Sequence, residues 1–132
     1  MTTIYGFGKT VPMDFEHAID VVTAALKKEG FGVLTDIDVQ ATLKQKLGED
    51  MPPYRILGAC NPPLAHQALT AEPSIGLLLP CNVVVRQEHD GTVHVECMDP
   101  AAVLDLVDSS TVHDLVREVR QRLDRVLAAT AI

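Results

Sequence analysis

Tryptophan is absent and aromatic residues make up only 4% of the chain, so any core must be built from Val, Leu, Ile and Ala. Cations are scarce: eleven Lys and Arg stand against eighteen Asp and Glu, a formal charge of −7 with a pI near 5.0. A chain so poor in cations has little with which to neutralise phosphates, which argues against nucleic acid and anionic membrane as partners. The three cysteines, Cys60, Cys81 and Cys97, are an odd number at wide spacing and make no disulfide framework. Reduced thiols in the cytoplasm are the expectation. Met1-Thr2-Thr3-Ile4-Tyr5 lacks a basic stretch followed by an apolar one, so no signal peptide is expected. The longest apolar run, residues 75–85, is broken by Gly76, Pro80 and Asn82. It falls short of the roughly 20 residues that a membrane helix needs.

Signatures of chemistry are equally thin. There is no Cys-x-x-Cys and no His-x-x-x-His, and the histidines His17, His66, His89, His94 and His113 are scattered. Only His94 and Glu96 share a strand face, so neither a metal nor a cofactor is expected. His94 reads as a solvent-facing strand residue. Gly6-Phe7-Gly8-Lys9 lacks the spacing of a phosphate loop and reads as a glycine kink in a first strand. No Gly-x-Ser-x-Gly elbow or other nucleophile signature occurs, so no reaction class is assigned.

What is present is the pattern of one α+β domain over residues 1–132. Residues 4–11 form a plausible strand. Asp14 caps a helix to about Glu29, with Phe15, Ile19, Val22 and Leu26 on one face and Gly30 at its end. Residues 31–37 read as a strand, 38–47 as a short helix closed by Gly48, and 54–60 as a third strand. Asn61-Pro62 is a strong helix start, an N-cap amide followed by proline at the first helical position, and this helix ends before Glu72-Pro73. Residues 74–87 and 92–98 flank an Asp90-Gly91 hairpin tip. In the second arm Val93, Val95 and Cys97 face one way. A long apolar stripe from Val112 to Leu127 closes the chain, with a capping box at Thr111-Val112-His113-Asp114. Its Arg117, Arg120, Arg122 and Arg125 fit a solvated face, or a surface for a second subunit.

The distinctive feature is a pair of Cys-Asn dipeptides beside prolines, Cys60-Asn61-Pro62-Pro63 and Pro80-Cys81-Asn82. Cys60 precedes an N-cap, where a helix dipole favours a thiolate. Pro80 is expected to break the strand ladder where Cys81 lies. If the two strands are neighbours, two thiols and two amides converge on a reactive thiol site or a small polar ligand site. The alternative is structural: both cysteines are small buried hydrophobes and the asparagines cap turns.

Tyr54-Arg55-Ile56-Leu57-Gly58-Ala59-Cys60-Asn61-Pro62, Gly76-Leu77-Leu78-Leu79-Pro80-Cys81-Asn82-Val83 and Met98-Asp99-Pro100 together resemble the bacterial and archaeal family of the domain of unknown function 302. The first helix, Gly30-Phe31-Gly32-Val33 and the segment Thr42-Leu43-Lys44-Gln45-Lys46-Leu47-Gly48 fit the same pattern. The resemblance implies a TBP-like α+β fold: strand, helix, four antiparallel strands, helix, with short inserted helices, often as a homodimer. It brings no activity with it. Three functions follow in order. The first is a homodimeric domain binding a small molecule or partner near Cys60, Asn61, Cys81, Asn82 and Tyr54. The second is a thiol-based sulfur carrier or redox sensor using Cys60 and Cys81. The third is an interaction domain without an active site.

Overall fold

A computed structural model describes residues 3–130. Five strands form one antiparallel sheet in the order β1-β5-β4-β3-β2: β1 (Gly6–Val11), β2 (Gly32–Asp38), β3 (Tyr54–Cys60), β4 (Cys81–Gln87) and β5 (Val93–Met98). Two long helices cover one face, α1 (Phe15–Lys28) and α5 (Ser110–Ala128). Shorter helices are inserted around β3, α2 (Val39–Leu47) and α3 (Pro62–Ala71), and a further one, α4 (Pro100–Val103), follows β5. The chain is α+β, as expected, with α2 and α3 before and after the third strand.

Local signals account for most boundaries. Asp14 Oδ1 accepts the His17 N–H at 2.8 Å and starts α1. Asp38 Oδ1 accepts the Ala41 N–H at 2.9 Å and starts α2, which ends at Gly48 in the left-handed region with φ 69°. Gly30, at φ 86°, lets the chain leave α1 at an angle that an L side chain rarely adopts. The buried face of α1, with Ala18, Val22 and Leu26 at zero exposure, packs on β4 and β5. There it meets Val83, Val85 and Val95, also at zero exposure, in a core of aliphatic side chains and three phenylalanines, Phe7, Phe15 and Phe31.

The structure corrects several expectations. Residues 74–80 are not strand: Pro73–Leu78 is a 3-10 helix and β4 starts only at Cys81. The Ile75 N–H bonds back to the Glu72 carbonyl at 3.0 Å and the Leu79 N–H to that of Gly76 at 3.3 Å, so these donors are satisfied locally. Pro80 therefore lies ahead of the ladder and does not break it. The register irregularity falls instead in β2, between Val33 and Thr35. Nor is there a kink at Gly8, since the β1–β5 register runs unbroken. A Cβ at Gly8 would collide with the Val95 carbonyl and lie 2.7 Å from the Glu96 Cα, so the glycine allows close approach.

At the last helix Ser109, not Thr111, is the N-cap, its Oγ accepting the Val112 N–H at 3.4 Å. His94 is buried, at 6% exposure, because Thr10 faces it across β1 with Oγ1 2.9 Å from Nδ1. Glu88 Oε1 lies 3.0 Å from its Nε2, without hydrogen-bond alignment. The α5 arginines are less solvated than expected. Arg120 stacks 3.6 Å over the Phe7 ring and pairs with Asp99 at 2.8 Å. Arg122 donates to the Glu29 carbonyl at 2.6 Å, and Arg125 meets the Glu29 carboxylate at 2.8 Å.

Candidate functional site

Ala59 and Cys81 are the last pair that β3 and β4 make. Beyond them the chains part, β3 passing through Cys60 and Asn61 into α3, and β4 preceded by the cis Leu79–Pro80 bond. The apolar side chains here belong to two clusters. The main core lies between the sheet, α1 and the C-terminal half of α5. A smaller one gathers Ala68 of α3, Ile75, Leu104 and Val112 at the start of α5.

The clusters do not close on each other, and a cavity of about 320 Å³ remains between them. From α3 it is walled by Leu64, Ala65 and Ala68, and from α5 by Val112, Leu115 and Val119. Phe31 and Ala59 form its sheet side with Cys60 and Cys81, and Leu104, just after α4, also lines it. Leu34 and Leu69, 66% and 41% exposed, mark its mouth. No charged side chain lines it. The polar residues on its wall are Cys60, Asn61 and Cys81.

Asn61 is 7% exposed and its Oδ1 accepts the Leu64 N–H at 3.3 Å, the cap that starts α3. The first turn of this helix offers no free donor. Pro62 and Pro63 have no N–H, Leu64 donates to the Asn61 side chain and Ala65 to the Asn61 carbonyl at 2.8 Å. The amide nitrogen of Asn61 lies against Gly30, where a Cβ would come within 2.9 Å of it. Burial pushes the Cys81 thiol up from 9.0 to about 11, and the neighbouring Cys60 adds to the rise. Cys97, in the core with Val93 and Val95, is pushed up to about 12, again chiefly by burial.

The expected convergence is thus partial. Cys60, Asn61 and Cys81 share the cavity, while Asn82 and Tyr54 do not line it. Successive residues of a strand point to opposite faces, so Asn82 is turned away from Cys81. It lines a hollow on the other face of the sheet with Tyr54, Arg86 and Glu96. Arg86 donates there to Glu96 at 2.6 Å. Among the described residues no three His, Cys, Asp or Glu side chains come together as a metal site. No helix among them is long and apolar enough to cross a membrane.

Residues 7–130 match the family model described as domain of unknown function DUF302. The chain belongs to this family. A solved structure of the family is similar throughout: the crystal structure of an uncharacterized conserved protein DUF302 from Bacillus stearothermophilus is 29% identical. The match covers 97% of this chain and 99% of that one, with a TM-score of 0.88. No curated protein matches the chain.

In this DUF302 chain the cavity wall from α5 and from Leu104, just after α4, escaped sequence reasoning. Two signals were available. Asp99-Pro100 repeats the logic of Asn61-Pro62: Asp99 Oδ1 accepts the Ala101 N–H at 2.9 Å and proline begins α4. The other was the length of the α5 stripe, whose first residues, Val112 and Leu115, reach beyond the main core into the smaller cluster.

Proposed function

We propose that this DUF302 domain binds a small molecule in the cavity between α3, α5 and the ends of β3 and β4. The observation that carries this reading is a pocket of about 320 Å³ walled by aliphatic side chains with only Cys60, Asn61 and Cys81 as polar points. Binding sites for small organic molecules begin at roughly this size and have this make-up, an apolar wall with a few placed polar groups. A gap left by poor packing would cost stability without return, since interiors are otherwise close-packed. The hollow at Tyr54 and Asn82 is less suited, because Arg86 and Glu96 there are already engaged with each other.

The thiol reading has a specific observation for it, two cysteines on one cavity wall. It has one against it: burial raises the Cys81 thiol to about 11, which leaves little thiolate at neutral pH. We therefore place binding first. The homodimer belongs to the same proposal. Its support is the outer edge of β2, which has no strand beside it among the described residues and exposes Leu34 and Ile37. Sedimentation equilibrium tests it, a monomer at all concentrations being the contrary result.

The binding reading is tested with 4-(dimethylamino)benzonitrile, a neutral dye without N–H groups whose emission rises in apolar surroundings. Saturable one-to-one enhancement that weakens in Ala68→Leu supports it. No enhancement, or enhancement indifferent to Ala68→Leu, contradicts it.

A further inference from the structure

Resting on the cavity as the binding site, we infer that its ligand is an uncharged, largely apolar molecule of roughly ten to fifteen non-hydrogen atoms bearing a single hydrogen-bond acceptor such as a carbonyl oxygen. The size follows from comparison: a cavity of about 150 Å³ holds benzene, and this one is about 320 Å³. The absence of charge follows from the wall. No Lys, Arg, His, Asp or Glu side chain lines the cavity, so an ionised ligand would leave water without a counter-charge.

A helix N-terminus normally offers anions free N–H groups, and α3 starts at this wall. Here that offer is withdrawn. Two prolines supply no N–H, and the next two donors are bound to Asn61. An anionic ligand therefore finds neither a cation nor a free backbone N–H from the first turn of α3.

The acceptor follows from what the polar residues have left. The Asn61 oxygen already accepts from Leu64, whereas its amide nitrogen, a donor, has no hydrogen bond among the described residues. Cys60 and Cys81 add weak S–H donors, and burial keeps Cys81 protonated at neutral pH. A carbonyl, ether or nitrile meets these groups. A hydroxyl or amine would bring a donor to a wall made mainly of donors.

Isothermal titration calorimetry on the full chain at pH 7.5 decides it with three probes on one ring system: 2-acetylnaphthalene, naphthalene and 2-naphthoate. The ketone is expected to bind at least about tenfold more tightly than the carboxylate. In Asn61→Asp, which keeps the cap but replaces the amide nitrogen by a carboxylate oxygen, the ketone's advantage over naphthalene should shrink about fivefold. Carboxylate binding equal to or tighter than the ketone would overturn the uncharged ligand and leave the cavity as a site. An unchanged ketone advantage in Asn61→Asp, in a variant that still melts cooperatively, would overturn the amide as the donor. If none of the three binds, the cavity reading itself falls.

Discussion

Ala59 and Cys81 face each other in the final pair of the β3–β4 ladder, and beyond this pair the sheet opens into the cavity. The candidate site is a consequence of strand length. Pro80 has no N–H for a further rung, and Asn61 turns the other chain into a helix. Both cavity thiols sit at this divergence, Cys60 as the last residue of β3 and Cys81 as the first of β4.

Filling the cavity should stabilise the fold and abolish binding together. Ala68→Leu places added methylenes in the gap between the two clusters and is expected to raise stability by about 1 kcal/mol. The same variant should weaken binding of 4-(dimethylamino)benzonitrile. Urea unfolding and dye titration check the two effects. A loss of stability would show that the gap is already occupied by neighbouring side chains.

The Asn61 cap should be separable from the Asn61 amide. Asn61→Ala is expected to lower stability by about 1 kcal/mol, and Asn61→Asp to retain most of it, because an aspartate oxygen caps as well. Urea midpoints of the two variants read this difference directly. Equal losses would mean that the Leu64 bond contributes little.

These two elements show how far the sequence reaches. The strand β3 and the helices α2 and α3 are legible in it because each is bounded by its own chemistry: Asp38 and Gly48, two prolines before Tyr54, then Asn61-Pro62. Residues 73–80 are not, since an apolar run becomes strand only if a partner lies opposite, and β3 has ended by then. Within the site, Cys60 is legible as a strand end and Asn61 as a helix cap, while Cys81 is marked only by the proline before it. Asn82 could have been set apart from Cys81 by strand alternation alone. The α5 wall shows in the sequence only as the length of its apolar stripe, and what that stripe packs against is set by tertiary packing. The burial of His94 is of the same kind, since it depends on Thr10 and on Glu88 in the hairpin.

Gly30 and Gly48 provide a matched comparison. Both have positive φ, 86° and 69°, so alanine at either should cost about 1–2 kcal/mol. A Cβ at Gly48 meets nothing within 4 Å, whereas one at Gly30 lies 2.9 Å from Asn61 Nδ2 and 3.1 Å from Arg122 Nη1. Gly30→Ala should therefore lose about 1 kcal/mol more than Gly48→Ala. Thermal unfolding of the pair checks it, equal melting points being the contrary result.

Stability should fall on the alkaline side. The folded state holds the Cys81 and Cys97 protons more tightly than the ordinary value of 9.0, up to about 11 and about 12. Their contribution is therefore complete below about pH 9 and is lost as pH rises through 11 and 12. Denaturation midpoints measured from pH 7 upward should drop, and Cys81→Ala should flatten the drop. Parallel curves for the two proteins would contradict the burial of this thiol.

The most direct measurement is a 1H–15N NMR titration of the full chain with 2-acetylnaphthalene. Binding in the cavity predicts saturable shifts centred on Ala65, Ala68, Leu104 and Val112, and little change at Tyr54 and Asn82 on the far face. Shifts centred on Tyr54 and Asn82, or none at all, would contradict it.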